Sequence, residues 1–154
     1  MELGDILSKD QIITDLRAKN RWEAIDECIQ TLVNTGKLRA ENQEAITAAV
    51  KKREASMSTG IGLGVGIPHA TTDLISEVIG AVGRSKAGVD FDAADDQLVH
   101  LVILFLVPQG QFQKHLTTLA NIAKLSRQAE FRQALEQAPN AEAMLRIIRE
   151  QGKK

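Results

Sequence analysis

Ten consecutive residues, Leu98 to Val107 (LVHLVILFLV), are apolar at every position but His100. A strand with one wet face alternates polar and apolar residues, and a surface helix keeps a polar side. This run does neither. It is far shorter than the ~20 residues that a membrane-spanning helix needs. Its β-branched content and the Pro108 and Gly110 that follow fit a strand buried on both faces. Such a strand must be covered above and below, so the rest of the chain has to supply two layers around one sheet.

The remaining periodicities supply them. Asn20 precedes Glu23 by three residues, a capping pair, and Trp22, Ile25, Cys28, Ile29, Leu32 and Val33 recur at helical spacing up to Gly36. A second helix is predicted over Glu41–Lys52, with Ala45, Ile46, Ala49 and Val50 on one side. It ends in Lys51, Lys52 and Arg53, which suit the negative end of a helix dipole. A third is predicted over Gln111–Arg127. Shorter ones are predicted over Phe131–Gln137 and, capped by Asn140, to about Glu150. Residues 11–16 and 77–83 read as strands. The expectation is one α/β domain over residues 1–154, with a core at about 5–149: a sandwich whose central sheet is flanked by helices.

Composition narrows the function. The 154 residues carry 19 basic and 20 acidic side chains, a formal net charge of −1, which lacks the positive excess that phosphate-backbone binding requires. Five aromatics (Trp22, Phe91, Phe105, Phe112 and Phe131) offer little for base stacking, so no nucleic-acid partner is expected. Cys28 is the only cysteine, which excludes an internal disulfide and a cysteine-based metal cage. The N-terminal residues carry acids early and show no secretory pattern. A cytoplasmic protein without membrane insertion is the reading.

The chemistry is signalled by GIGLGVGIPHA, residues 60–70. Gly60, Gly62, Gly64 and Gly66 fall at alternate positions. If the segment is extended, one face is bare backbone and the other carries Ile61, Leu63, Val65 and Ile67. Four glycines in one strand are entropically costly, which argues against filler. Neither the dinucleotide fingerprint nor the phosphate loop ending in Gly-Lys-Ser/Thr is present. Pro68 fixes its own φ and biases Ile67 to extended geometry, so His69 is presented at the end of a stiff segment. His115 falls near the start of the predicted third helix, where the dipole disfavours imidazolium and attracts anions. His100, inside the apolar strand, reads as structural. Two histidines without a third ligand or a metal-type spacing make a poor metal site, and no metal or cofactor is expected. A serine hydrolase lacks its G-x-S-x-G turn.

Arg53-Glu54, Ser58-Thr59-Gly60-Ile61-Gly62, Gly66-Ile67-Pro68-His69-Ala70, Val89-Asp90-Phe91-Asp92, Leu106-Val107-Pro108 and His115-Leu116 with Leu119 form an ordered set over most of the chain. That set resembles the enzyme IIA domains of the fructose/mannitol class in the bacterial phosphoenolpyruvate-dependent sugar phosphotransferase system, which include nitrogen-regulatory members. The resemblance implies a mixed sheet between helices. It makes His69 the phosphoryl-accepting histidine, through Nε2, and His115 an assisting histidine. Arg53 becomes the arginine that holds the phosphoryl group, with Ser58 and Thr59 as further donors. Gly66 departs from the pattern, since many relatives carry alanine there, and it is expected to loosen the strand slightly.

The implied activity is phosphocarriage, with a histidine-phosphocarrier protein as donor. A nitrogen-regulatory-type signalling role is the first reading. Delivery to an enzyme IIB of a fructose/mannitol-type permease is the alternative, and a binding module without phosphotransfer is a third. Cys28, on the apolar side of its helix, reads as a packing residue and not as an onward acceptor.

Overall fold

The computed structural model describes residues 2–152. Two strands, β5 (Ile79–Val89) and β6 (Val99–Pro108), form an antiparallel pair at the centre of a six-stranded mixed sheet. The two-residue β1 (Ile12–Ile13) adds to the outer edge of β5 in parallel. The other edge of β6 is shared along its length. β3 (Val65–Gly66) pairs in parallel with Leu101 and Val102, and β4 (His69–Thr72) with Phe105 to Pro108. β2 (Gly60–Gly62) closes this side by pairing antiparallel with β3.

The apolar run behaves as its composition dictates. Leu101, Ile103, Phe105 and Val107 enter one hydrophobic core, and Val102, Leu104 and Leu106 the other, the period-two split of a strand covered on both faces. The first core is completed by α3 (Leu116–Ser126), α4 (Ala129–Gln137) and α5 (Ala141–Gly152), through Ile122, Phe131, Leu135, Met144 and Ile148. The second is completed by α1 (Arg21–Asn34) and α2 (Gln43–Ser56), through Ile25, Cys28, Ile29, Leu32, Ile46 and Val50. The mixed α/β sandwich expected from the sequence is therefore observed. No helix among the described residues is long and apolar enough to cross a membrane.

Caps follow the local chemistry. Asn20 accepts from the Glu23 N–H at 3.0 Å and starts α1. Gly36, at φ +79°, stops it, and the Lys37 N–H returns to the Leu32 carbonyl at 2.9 Å. Asn140 accepts from the Ala143 N–H at 2.8 Å ahead of α5. Cys28 is fully buried, and desolvation pushes its thiol up to about 12, so it packs and does not react.

Four local expectations need correction. The glycine segment is not one extended ribbon. It folds into the β2–β3 hairpin, with Leu63 and Gly64 at φ +59° and +80° in the turn. Two consecutive positive φ values match the twist of a tight hairpin, which alternating composition does not reveal. The strand expected over residues 11–16 shrinks to Ile12–Ile13, and the one expected to end at Gly83 runs on to Val89. β4, the short strand that carries His69, has no period of its own and was not foreseen. The third helix begins at Leu116, after a 3₁₀ turn over Gln113–His115, and not at Gln111.

Gly66 also has a different meaning from a loosened strand. A Cβ built there meets the Phe91 ring at 2.8 Å, so the glycine makes room for a fully buried aromatic.

Candidate active site

His69 is the first residue of β4, in register with Phe105, and the two residues ahead of it are anchored by main-chain bonds. The Phe105 N–H donates to the Pro68 carbonyl at 3.0 Å, and the Ile67 N–H donates to the Thr59 carbonyl at 3.1 Å. The half-buried imidazole faces an open hollow of about 630 Å³ lined by Ala49, Lys52, Arg53 and Ser56 from α2, by Ala70 and Thr71, and by Phe112. The Phe112 ring stacks on it at a centroid distance of 6.2 Å and an interplanar angle of 14°.

One hydrogen bond defines the chemical state of this ring. His69 Nδ1 lies 2.9 Å from the Ile67 carbonyl oxygen. A carbonyl only accepts, so Nδ1 carries the proton and the lone pair of the neutral ring sits on Nε2. No described residue bonds Nε2. Burial pulls the pKa below 6.5 by disfavouring the cation. The Ile67 carbonyl opposes this, the Arg53 guanidinium adds to the depression, and the Glu54 carboxylate opposes it. The net result is a neutral imidazole with an available Nε2 beside a fixed positive charge. Arg53 is in the last turn of α2, half-buried, and its Nη1 donates to the Met57 carbonyl at 3.2 Å.

The other expected residues occupy different places. Thr59 is buried. Its backbone N–H donates to Glu54 Oε2 at 2.8 Å and its hydroxyl donates to Glu54 Oε1. The Ser58 hydroxyl donates to the Phe91 carbonyl and accepts from the Gly60 N–H at 3.1 Å. Neither residue lines the His69 hollow. His115, 6% exposed at the N-terminus of α3, lines a separate hollow with Lys37, Glu77, Gln111, Lys114 and Thr118. The structure thus brings His69 and Arg53 together, and places His115 in the lining of a different hollow. His100, as expected, is tied structurally, with Nδ1 2.8 Å from the Ser85 carbonyl.

Two residues of the site were not singled out by role in the sequence. Glu54 is completely buried and gathers Thr59 from the hairpin and Arg21 of α1, whose Nη1 is 3.4 Å from Oε2. A carboxylate without solvent persists only with such partners. It ties the end of α2, where Arg53 sits, to the strand pair that leads to His69. Its place beside Arg53 in an amphipathic helix was visible, but its burial was not. Phe112 stacks on His69 from a loop that carries no motif.

Comparisons with known proteins place this sequence and fold in a family. The family model for the phosphoenolpyruvate-dependent sugar phosphotransferase system, EIIA 2, matches residues 5–151. The chain is 35% identical over 153 residues to a PTS system fructose-specific EIIABC component of Bacillus subtilis, covering 99% of this chain but only 24% of that protein's length. It is 28% identical over 148 residues to a nitrogen regulatory protein of Bradyrhizobium diazoefficiens, covering 96% and 95% of the two chains. The crystal structure of nitrogen regulatory protein IIA-Ntr from Neisseria meningitidis superposes with a TM-score of 0.81 at 28% identity, covering 95% of this chain and 98% of that one. The mixed sheet between two helical layers thus has its counterpart in a nitrogen regulatory IIA protein, and this chain belongs to the EIIA 2 family of the phosphoenolpyruvate-dependent sugar phosphotransferase system.

Proposed function

We propose that the protein carries a phosphoryl group on Nε2 of His69, received from a phosphohistidine of a small histidine-phosphocarrier protein. The observation that carries this reading is the Nδ1–Ile67 carbonyl contact, which leaves Nε2 as the lone-pair nitrogen in the hollow beside Arg53. The Nε2 lone pair forms the new N–P bond while the donor's P–N bond breaks in line. The bonding pair returns to the donor ring nitrogen. The Nδ1 proton stays on Nδ1, donated to the Ile67 carbonyl throughout, so no general base takes part. The barrier is then a matter of position and charge. Arg53 offers a planar fork of donors to the phosphoryl oxygens, and Lys52 adds charge on the same wall. Ser58 and Thr59 support the reaction by holding the hairpin in place, since their hydroxyls are engaged internally. His115, which lines a separate hollow, takes the assisting role.

We favour the nitrogen-regulatory role, in which the phosphorylated and free forms bind a regulatory target differently. The 95% coverage of a nitrogen regulatory protein supports it. Delivery to an enzyme IIB in sugar uptake is the second reading, favoured by the 35% identity to the fructose-specific component. Cytoplasmic localisation accompanies both. The test is incubation with phosphoenolpyruvate, enzyme I and the phosphocarrier. The expected result is an acid-labile mass gain of one phosphoryl group, absent in His69→Ala. Adding an enzyme IIB separates the roles: rapid drain of the label supports transport, and retention supports regulation. His115→Ala slows labelling if His115 assists, and leaves it unchanged if it is only a packing residue.

A further inference from the structure

We propose that a second hollow, at the other end of β6 from His69, binds a small organic anion, a carboxylate or phosphate monoester on a short apolar body. The hollow has a volume of about 360 Å³ and lies between the β2–β3 hairpin tip, the β5–β6 pair and α4. That is within the size range of small-molecule sites. Leu63, Leu101 and Leu135 give it an apolar floor, while Arg84, Lys86, His100 and Arg132 give it nitrogen donors. His100 is five residues before Phe105, the partner of His69, so the two hollows are separated by about 16 Å of strand.

Arg84 is the strongest observation. It is 8% exposed, yet no described carboxylate pairs with it. Its Nε donates to the Thr14 carbonyl at 3.1 Å, and its Nη1 to the carbonyls of Leu135 and Ala138 at 2.8 and 2.7 Å. These three carbonyls fix the guanidinium but do not neutralise it, and a buried charge without a counter-charge is expensive. Nη2 makes no hydrogen bond among the described residues and is not sealed from solvent, and Arg84 lines the hollow. The neighbours add to this charge. Lys86 has no ion-pair partner among the described residues. Arg132 uses Nη1 for the Ser126 carbonyl at 3.0 Å and has no described carboxylate partner. His100 spends Nδ1 on Ser85, which leaves Nε2 free. Three cations face one carboxylate, Glu136, in a chain whose net charge is −1. An oxyanion seated there would complete the Arg84 fork, and its apolar body would cover the leucines.

The test is a ¹H–¹⁵N NMR titration with phenyl phosphate and benzoate, and with benzyl alcohol as the uncharged control. At least one of the anions is expected to shift the Gly64, Ser85 and Leu101 amides saturably, and the alcohol is not. Lys86→Gln combined with Arg132→Gln is expected to weaken the anion by about tenfold or more. The single charge reversal Lys86→Glu gives the same direction with less perturbation of α4. His69→Ala is expected to bind the anion as the wild type does, which separates this site from the phosphoryl hollow. The proposal is overturned if neither anion shifts these amides saturably or if benzyl alcohol binds equally. It also fails if shifts centre on Ala49, Arg53 and Thr71, or if folded Lys86→Glu keeps full affinity.

Discussion

At the scale of single residues, the account rests on two main-chain anchors and two charges. The Ile67 carbonyl fixes the tautomer of His69, and the buried Glu54 fixes the hairpin that delivers Ile67. Because burial and Arg53 hold the His69 pKa below 6.5, Nε2 remains a nucleophile as the solution is acidified through 6.5. The fall in labelling rate on acidification is therefore expected to come at lower pH than a free imidazole's titration would give, measured with donor in excess and corrected for the donor's own titration. Stability follows the same linkage. Between 6.5 and the lower native value the unfolded chain binds a proton that the native chain does not, so this residue's share of stability falls as pH falls. Arg53→Ala is expected to slow labelling by about tenfold or more with an unchanged thermal midpoint, because the guanidinium spends only one bond on the protein. Glu54→Ala acts oppositely: it should cost about 2–4 kcal/mol in urea unfolding, by orphaning two Thr59 donors and the Arg21 partner. His69 was legible in the sequence because Pro68 and the glycines mark a backbone with special demands. Glu54 and the Ile67 contact were not, because burial and a bond between residues two apart depend on how the hairpin closes.

Secondary elements show the same division. β6 was readable because a strand covered on both faces leaves an unbroken apolar run, and the split of Leu101–Val107 between two cores follows from its period. Both capped helices were readable because Asn20 and Asn140 each do local chemistry. The β2–β3 hairpin was misread as one ribbon, since Leu63 occupies a left-handed turn position at φ +59° that its side chain does not favour. Its N–H donates to Asp95 at 3.0 Å, a contact 32 residues away that helps hold the turn and that no local pattern encodes. Two substitutions test this element. Leu63→Gly is expected to leave stability unchanged or raise it by up to about 1 kcal/mol, from relief of the left-handed strain less the entropy of glycine. Gly66→Ala is expected to destabilise by about 1–3 kcal/mol, because its Cβ would overlap the ring of Phe91 at 2.8 Å. Phe91→Leu in the same chain should restore part of that loss, which a strain unrelated to the ring would not permit.

Across the molecule, one sheet organises both the His69 hollow and the cationic one. β6 is paired on one side by β5 along most of its length. On the other it is shared between β3, near His100, and β4, which places His69 beside α2. The three layers hold Arg53 and His69 on elements that meet only in the folded state, so their order in sequence identifies the family but not the distance between them. The family itself was legible from the ordered motifs. The placement of His115 in a hollow apart from that of His69 was not, since a 3₁₀ turn replaced the expected first turns of α3. The central claim is tested most directly by phosphorylating ¹⁵N-labelled protein and recording long-range ¹H–¹⁵N correlations of the histidine rings. The account predicts a one-bond ¹⁵N–³¹P coupling at Nε2 of His69, with the Nδ1–H form of that ring present before labelling. A coupling at Nδ1, or on the ring of His115 or His100, would contradict it.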